Sequence, residues 1–170
     1  SSDVCSSDLC RASGARILPF KHNDAADARR KLARVGERSS DGCILLITEG
    51  VFSMSGDTAR LQDLLALKRD CPSLLVYLDD AHGLGVIGPG GRGTTARFGA
   101  DGDVDFIMGT FSKALASVGG FIASDDEAVI EYLRHHSKPL IFSAALPASA
   151  VAAVQASLDV LEQEPERVER

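Results

Sequence analysis

The sequence has no run of 18 or more apolar residues, so no membrane span is expected. It has no basic excess: the formal net charge is -6, which argues against a general nucleic-acid binder, since such proteins present a basic face. The four cysteines, Cys5, Cys10, Cys43 and Cys71, form no Cys-x-x-Cys pair, so neither a zinc knuckle nor any other metal site is expected. A disulfide framework is not expected either, because a chain that is 45% apolar builds a core without one. The start lacks a basic stretch followed by an apolar one, so no signal peptide is read and a cytoplasmic location is expected.

What is present suits one compact domain: 170 residues, a quarter of them charged. The chain does not begin with Met. Its first ten residues repeat Ser-Ser-Asp-Val-Cys as Ser-Ser-Asp-Leu-Cys, with no strand or helix period. Residues 1–9 are therefore set aside as a non-native or disordered tail. Residues 10–146 are expected to form part of a large domain. Residues 147–170 are expected to be a helix leading toward a further, smaller domain, with the helical pattern still running at Arg170.

Along the chain, short apolar runs alternate with amphipathic ones. Residues 15–20, 43–48 (CILLIT), 73–78 (SLLVYL), 105–108 and 120–123 read as strands, with 43–48 and 73–78 buried on both faces. Asp24 is placed to cap a helix whose apolar face is Ala25, Ala28, Leu32 and Val35. Residues 58–70 put Leu61, Leu64 and Leu65 on one helical face, and Pro72 follows. Ser124 opens a Ser-Asp-Asp-Glu capping box. Pro147 starts a last helix with Val151, Val154, Leu158 and Leu161 inward. The alternation predicts an α/β domain with a mostly parallel sheet flanked by helices.

In open α/β sheets, ligands bind beyond the carboxyl ends of the strands. Three of the strands here end in polar or ionisable groups: Glu49 to Ser53, Asp79 to His82, and Thr110 to Lys113. An aldehyde cofactor with a phosphate and a pyridine ring needs a Schiff-base lysine and a carboxylate facing the ring nitrogen. It also needs hydroxyls and N–H groups for the phosphate, and a donor to the ring oxygen. Lys113, Asp79, Thr110 with Ser112, and His82 meet these needs in turn. Singly, each has an ordinary explanation: a strand-end Asp is a turn former, a lone Lys is solvated, a turn Ser is structural. Their joint arrangement is what points to a site.

Five segments carry a more specific resemblance: Glu49-Gly-Val-Phe-Ser-Met-Ser-Gly-Asp57, Asp79-Asp-Ala-His-Gly-Leu-Gly85, Gly91-Arg-Gly93, Gly109-Thr-Phe-Ser-Lys-Ala-Leu-Ala-Ser117 and Ile141-Phe-Ser-Ala-Ala-Leu-Pro147. In order and spacing they resemble the α-oxoamine synthases, a family of pyridoxal 5'-phosphate-dependent enzymes of fold-type I that includes serine palmitoyltransferase, 8-amino-7-oxononanoate synthase, 2-amino-3-ketobutyrate CoA ligase and 5-aminolevulinate synthase. The resemblance runs from about Cys10 to Arg170. It implies part of a fold-type I large domain and a homodimer. The implied substrates are an acyl-CoA and an amino acid, which condense with release of CoA and, in most members, of carbon dioxide.

The resemblance also implies roles. Lys113 matches the lysine that holds the cofactor and then serves as base. Asp79 matches the partner of the pyridine nitrogen, and His82 and Ser53 match groups near the ring hydroxyl. Thr110 and Ser112 match cofactor-contacting hydroxyls. Ser143 matches a serine near the phosphate of the partner subunit's cofactor. Glu49 and Asp80 match less well-defined polar positions. The family's ring-stacking histidine lies upstream of Cys10, and its carboxylate-gripping arginine lies beyond Arg170. The chain has Pro147-Ala148 where the family often has Pro-Pro, and Ser55 where it often has Asp. Gly109-Thr-Phe-Ser-Lys and the run from His135 to Ser143 look nearer to bacterial serine palmitoyltransferase-like members, while Asp-Asp-Ala-His-Gly is also common in 8-amino-7-oxononanoate synthases. His135 and His136 read as a helix C-terminal pair favouring the dipole rather than as metal ligands.

Three rivals stand beside this reading. Gly88 and Gly93 have the five-residue separation of a phosphate loop, but no lysine precedes Thr94 or Thr95. A non-catalytic partner subunit of the same family loses the lysine that this chain keeps, and an inactive fragment remains a further form of that reading. Other fold-type I enzymes such as aminotransferases share the Asp and Lys, but not the Glu-Gly-Val-Phe-Ser and Asp-Asp-Ala-His segments together.

Overall fold

A computed structural model of the chain describes residues 6–36 and 43–169. The apolar hexapeptides β1 (Ile44–Glu49) and β2 (Leu74–Asp79) pair in parallel over their full lengths. β2 pairs in parallel with β3 (Phe106–Thr110), and β3 pairs antiparallel with β4 (Gly120–Ala123). The sheet order is therefore the chain order, β1-β2-β3-β4, and the sheet is mixed at one edge. The expected parallel arrangement holds for the three strands whose ends carry polar groups.

Helices fill the connections. α1 (Ser6–Ala12) lies where the sequence showed no helical period. α2 (Ala25–Gly36) begins as expected, with the Asp27 amide donating to the Asp24 carboxylate at 2.8 Å. α3 (Leu61–Leu65) passes into a 3-10 turn, Ala66–Arg69, before β2, and α4 (Thr94–Phe98) precedes β3. α5 (Glu127–His136), α6 (Lys138–Phe142) and α7 (Ala148–Gln163) follow β4.

The core lies between the sheet and α2–α4. Leu61, Leu64 and Leu67 pack against Leu74, Val76 and Leu78, all at most 1% exposed. Full burial of such a side chain stabilises by about 1.5–3 kcal/mol. The period of two along β2 puts 74, 76 and 78 on this face and Tyr77 and Asp79 on the other. That other face is less covered: Leu45 of β1 is 46% exposed, so the strand is not buried on both faces as its continuous apolar run suggested.

Three further expectations are corrected. Residues 15–20 form no strand, because no strand among the described residues pairs with them, and Ile17 and Leu18 stay exposed. The cap of α5 is Asp126, whose carboxylate accepts from the Ala128 and Val129 amides, while Ser124 accepts only from the Asp126 amide. α7 does start after Pro147, but of its expected inward residues Val154 is buried while Val151 and Leu158 are exposed, since no described element covers them.

Candidate active site

Parallel register brings the three strand ends together. Glu49 lies opposite Asp79, so β1 and β2 end level, while Asp79 lies opposite Met108 and β3 runs two residues further, to Thr110. Neighbouring strands stand about 4.8 Å apart. The ladder continues one residue past the strands: the Gly50 amide donates to the Asp79 carbonyl and the Asp80 amide to the Met108 carbonyl, each at 2.8 Å.

Lys113 sits in the turn that reverses β3 into β4. The turn is closed by the Phe111 amide donating to the Gly119 carbonyl at 3.0 Å and the Ser117 amide to the Phe111 carbonyl at 2.8 Å. Ala116 takes a left-handed φ of 48°, a conformation that costs a non-glycine residue about 1–3 kcal/mol and gathers at functional sites. Two hydroxyls tie the turn to α7: Ser117 Oγ donates to the Ala150 carbonyl at 2.9 Å and Ser157 Oγ to the Leu115 carbonyl at 3.3 Å. Leu115 is buried at 1% beneath the turn, while Lys113 is exposed and has no ion pair or hydrogen bond from its ammonium among the described residues. Thr110 Oγ1 and Ser112 Oγ lie 2.8 Å apart, and the Ser112 amide donates to Thr110 Oγ1 at 3.3 Å. This puts two hydroxyls within one short segment, groups that suit a phosphate.

After β2, Asp79 Oδ1 accepts from the Ala81 amide at 3.1 Å, and His82 is half-buried one residue on. Asp79 and Asp80 take opposite faces, as strand alternation requires. Asp80 is 3% exposed, and its carboxylate accepts from both the amide and the hydroxyl of Thr94. Burial pushes the Asp80 carboxyl up from its ordinary value, the two Thr94 hydrogen bonds oppose that, and the charge of Asp79 adds to it.

After β1, the Ser53 amide donates to Glu49 Oε2 at 3.1 Å, which gives Glu49 a definite role: it fixes the turn that carries Ser53. His22 supports the same turn from the segment before α2. Its ring meets Phe52 edge-on at a 4.3 Å centroid distance, and its Nε2 lies 2.8 Å from Asp57. Ser143 stands apart from this group, exposed at the end of α6, but Leu146 three residues on packs over Gly119 in the Lys113 turn.

The strand-end rule found Glu49, Asp79 and Thr110. It did not find Thr94, Ser157 or His22, which hold the loops from outside, or Ser117, which ties the Lys113 turn to α7. The doubled Asp79-Asp80 was the available signal for Thr94, because alternation buries one of two adjacent carboxylates and a buried carboxylate needs donors. The phosphate-loop alternative fails on geometry. The Thr94 amide is given to Asp80, and α4 is only five residues long.

The fold and this edge define a class: the large domain of a fold-type I enzyme, present in part. The chain belongs to the class I and II aminotransferase family, which it matches over residues 6–170. Within it, the chain is 42% identical over 162 residues to a serine palmitoyltransferase of Sphingobacterium spiritivorum, covering 95% of this chain and 39% of that protein. It is 44% identical over 168 residues to an 8-amino-7-oxononanoate synthase of Symbiobacterium thermophilum, covering 96% and 41%. A serine palmitoyltransferase from S. paucimobilis, solved with bound PLP and myriocin, superposes with a TM-score of 0.86 at 36% identity, over 99% of this chain and 42% of that one. The resemblance to the α-oxoamine synthases read from the five segments is borne out by these relatives. The chain spans about two fifths of their length.

Proposed function

We propose that this chain forms the cofactor-binding part of a pyridoxal 5'-phosphate-dependent acyltransferase. The enzyme joins an amino acid to the acyl group of an acyl-CoA and releases CoA. The observation that carries the proposal is the Lys113 amine, unpaired among the described residues and presented on a rigid turn at the end of β3, beside the strand that ends in the Asp79 carboxylate. The groups present fit the cofactor: an amine, a carboxylate and two hydroxyls from adjacent strand ends. Lys113 would hold the aldehyde carbon, and its amine would accept the proton from the substrate's α-carbon. Asp79 would keep a proton on the ring nitrogen. Thr110 and Ser112 would hold the phosphate, and His82 and Ser53 the ring oxygen. When bound, the cofactor supplies the sink for the electron pair left on that carbon.

The relatives lend support to two finer readings. The serine palmitoyltransferase-like reading is favoured by the matches to enzymes of that name and by the run through His135 and His136. The 8-amino-7-oxononanoate synthase reading is supported by relatives at equal identity. We place Ser143 toward the cofactor of a second copy in a homodimer. A cytoplasmic setting agrees with the free Cys10, Cys43 and Cys71. Among the described residues no helix is long and apolar enough to cross a membrane.

The test is an absorbance spectrum of the chain with added pyridoxal phosphate, beside Lys113→Ala. A band near the visible edge that borohydride removes, and that Lys113→Ala lacks, is expected. A band that persists in Lys113→Ala assigns another lysine. No band in the wild type sinks the proposal for this chain and favours an incomplete or non-catalytic unit. Release of free CoA thiol from acyl-CoA separates the synthase reading from an aminotransferase.

A further inference from the structure

Asp80 is a buried ionisable group that the proposed chemistry leaves unused, and unlike the buried Asp27 it has no cation beside it among the described residues. It is 3% exposed, and it neighbours the carboxylate placed against the ring nitrogen. A buried carboxylate without a cation is costly, so its fixed contacts are informative. Oδ2 accepts from the Thr94 amide at 2.8 Å and Oδ1 from the Thr94 hydroxyl. Three backbone segments close around the same two oxygens. A Cβ built on Gly50 falls 2.4 Å from Oδ1, one on Gly83 2.1 Å from Oδ1, and one on Gly93 2.2 Å from Oδ2. Gly50 follows β1, Gly83 lies in the turn after β2, and Gly93 precedes α4. Only glycine allows that approach. The Asp80 main chain adds to the closure: its amide donates to Met108 of β3, and its carbonyl accepts from Gly83 and Leu84.

We propose that the Asp80–Thr94 contact, packed among Gly50, Gly83 and Gly93, is a clamp that positions Asp79 and His82 by locking the loop after β1, the turn after β2 and the start of α4 into one block. Asp80 and Thr94 are positioning residues in this scheme. Neither touches the cofactor. The clamp's bearing on the cofactor rests on Asp79 being the carboxylate that faces the ring nitrogen.

The orientation of Asp79 has a direct reporter. The Ala81 amide donates to Asp79 Oδ1 at 3.1 Å, so its hydrogen exchange reads whether that carboxylate is held. In the ligand-free chain, Thr94→Val is expected to speed Ala81 exchange about ten-fold, the size of one lost hydrogen bond. The amides of Leu46 and Val76 in the sheet should stay near wild type. Thr94→Ser, which keeps the hydroxyl, should restore Ala81. If Thr94→Val does not fold, Asp80→Asn supplies the same reading, because a carboxamide oxygen replaces only one of the two acceptors. Unchanged Ala81 exchange overturns the clamp, as does equal acceleration of Ala81 and the sheet, which marks a general loss of stability. A pyridoxal phosphate titration then separates the two proposals. Binding by wild type that weakens about ten-fold in Thr94→Val and recovers in Thr94→Ser supports both. A loosened Ala81 in a chain whose wild type shows no cofactor band supports the clamp and overturns the proposed function. Cofactor binding of wild-type strength in Thr94→Val overturns the clamp's bearing on the site and leaves the proposed function standing.

Discussion

Asp57 shows how a single residue far from the strand ends governs one of the loops. It accepts from Asn23 Nδ2 at 2.7 Å, contacts His22 at 2.8 Å, and receives the Ser55 hydroxyl. The Ser55 hydrogen bond first, then those of His22 and Asn23, hold its carboxyl at about 2, below the ordinary 3.8. A carboxylate depressed on folding stabilises the fold fully above its unfolded value, and that contribution disappears as pH falls through the folded value. The turn of residues 51–58 should therefore stay closed above about pH 4 and loosen as the pH is lowered toward 2. Gly56, whose amide donates to the Phe52 carbonyl, reports this by NMR hydrogen exchange. In Asp57→Asn the pH dependence of Gly56 protection, its exchange rate divided by the intrinsic rate at each pH, should vanish between those limits. If it persists, another group controls the turn.

At the scale of elements, two glycines separate crowding from backbone conformation. Gly93 has φ 93° and lies against Asp80, whereas Gly99, which ends α4, has φ 61° and nothing within 4 Å of where a methyl group would stand. Gly99→Ala meets only the left-handed penalty, about 1 kcal/mol. Gly93→Ala adds overpacking against a buried carboxylate, about 1–3 kcal/mol more. Urea unfolding of the two variants checks the order, and equal losses would show that the space around Asp80 yields. Elements were legible where period and partner agreed. β1 to β4, α2 and the buried face of α3 came from the sequence almost in place. Residues 15–20 have a strand's composition, but pairing needs a neighbour that composition does not reveal. The cap of α5 shifted by two residues because Asp126 reaches two amides that Ser124 does not.

Over the whole molecule, the apolar surface is unevenly covered. Phe142 is 81% exposed, Leu140 61%, and Val151 52%, all from α6 and α7. Apolar surface of that kind marks contact faces in proteins. Sedimentation velocity of the chain should show association that rises with concentration and falls in Phe142→Ser. A monomer at all concentrations would place the contact elsewhere. The candidate site was legible at this scale because its polar groups collect at one sheet edge, a rule that needs only strand order and direction. What remained hidden was the support behind it. Hydroxyl-to-carbonyl bonds such as Ser117 to Ala150 have no periodic signature.

Those bonds make α7 a strut. One side of the helix is fastened at Ser157 and Ala150 to the turn that bears Lys113, while Val151 and Leu158 face outward. Any body that comes to rest on that outward side bears on the same rod that braces the turn carrying Lys113. A load there would meet the turn at Leu115 and Ser117 through two hydrogen bonds, away from the carboxyl edge of the sheet.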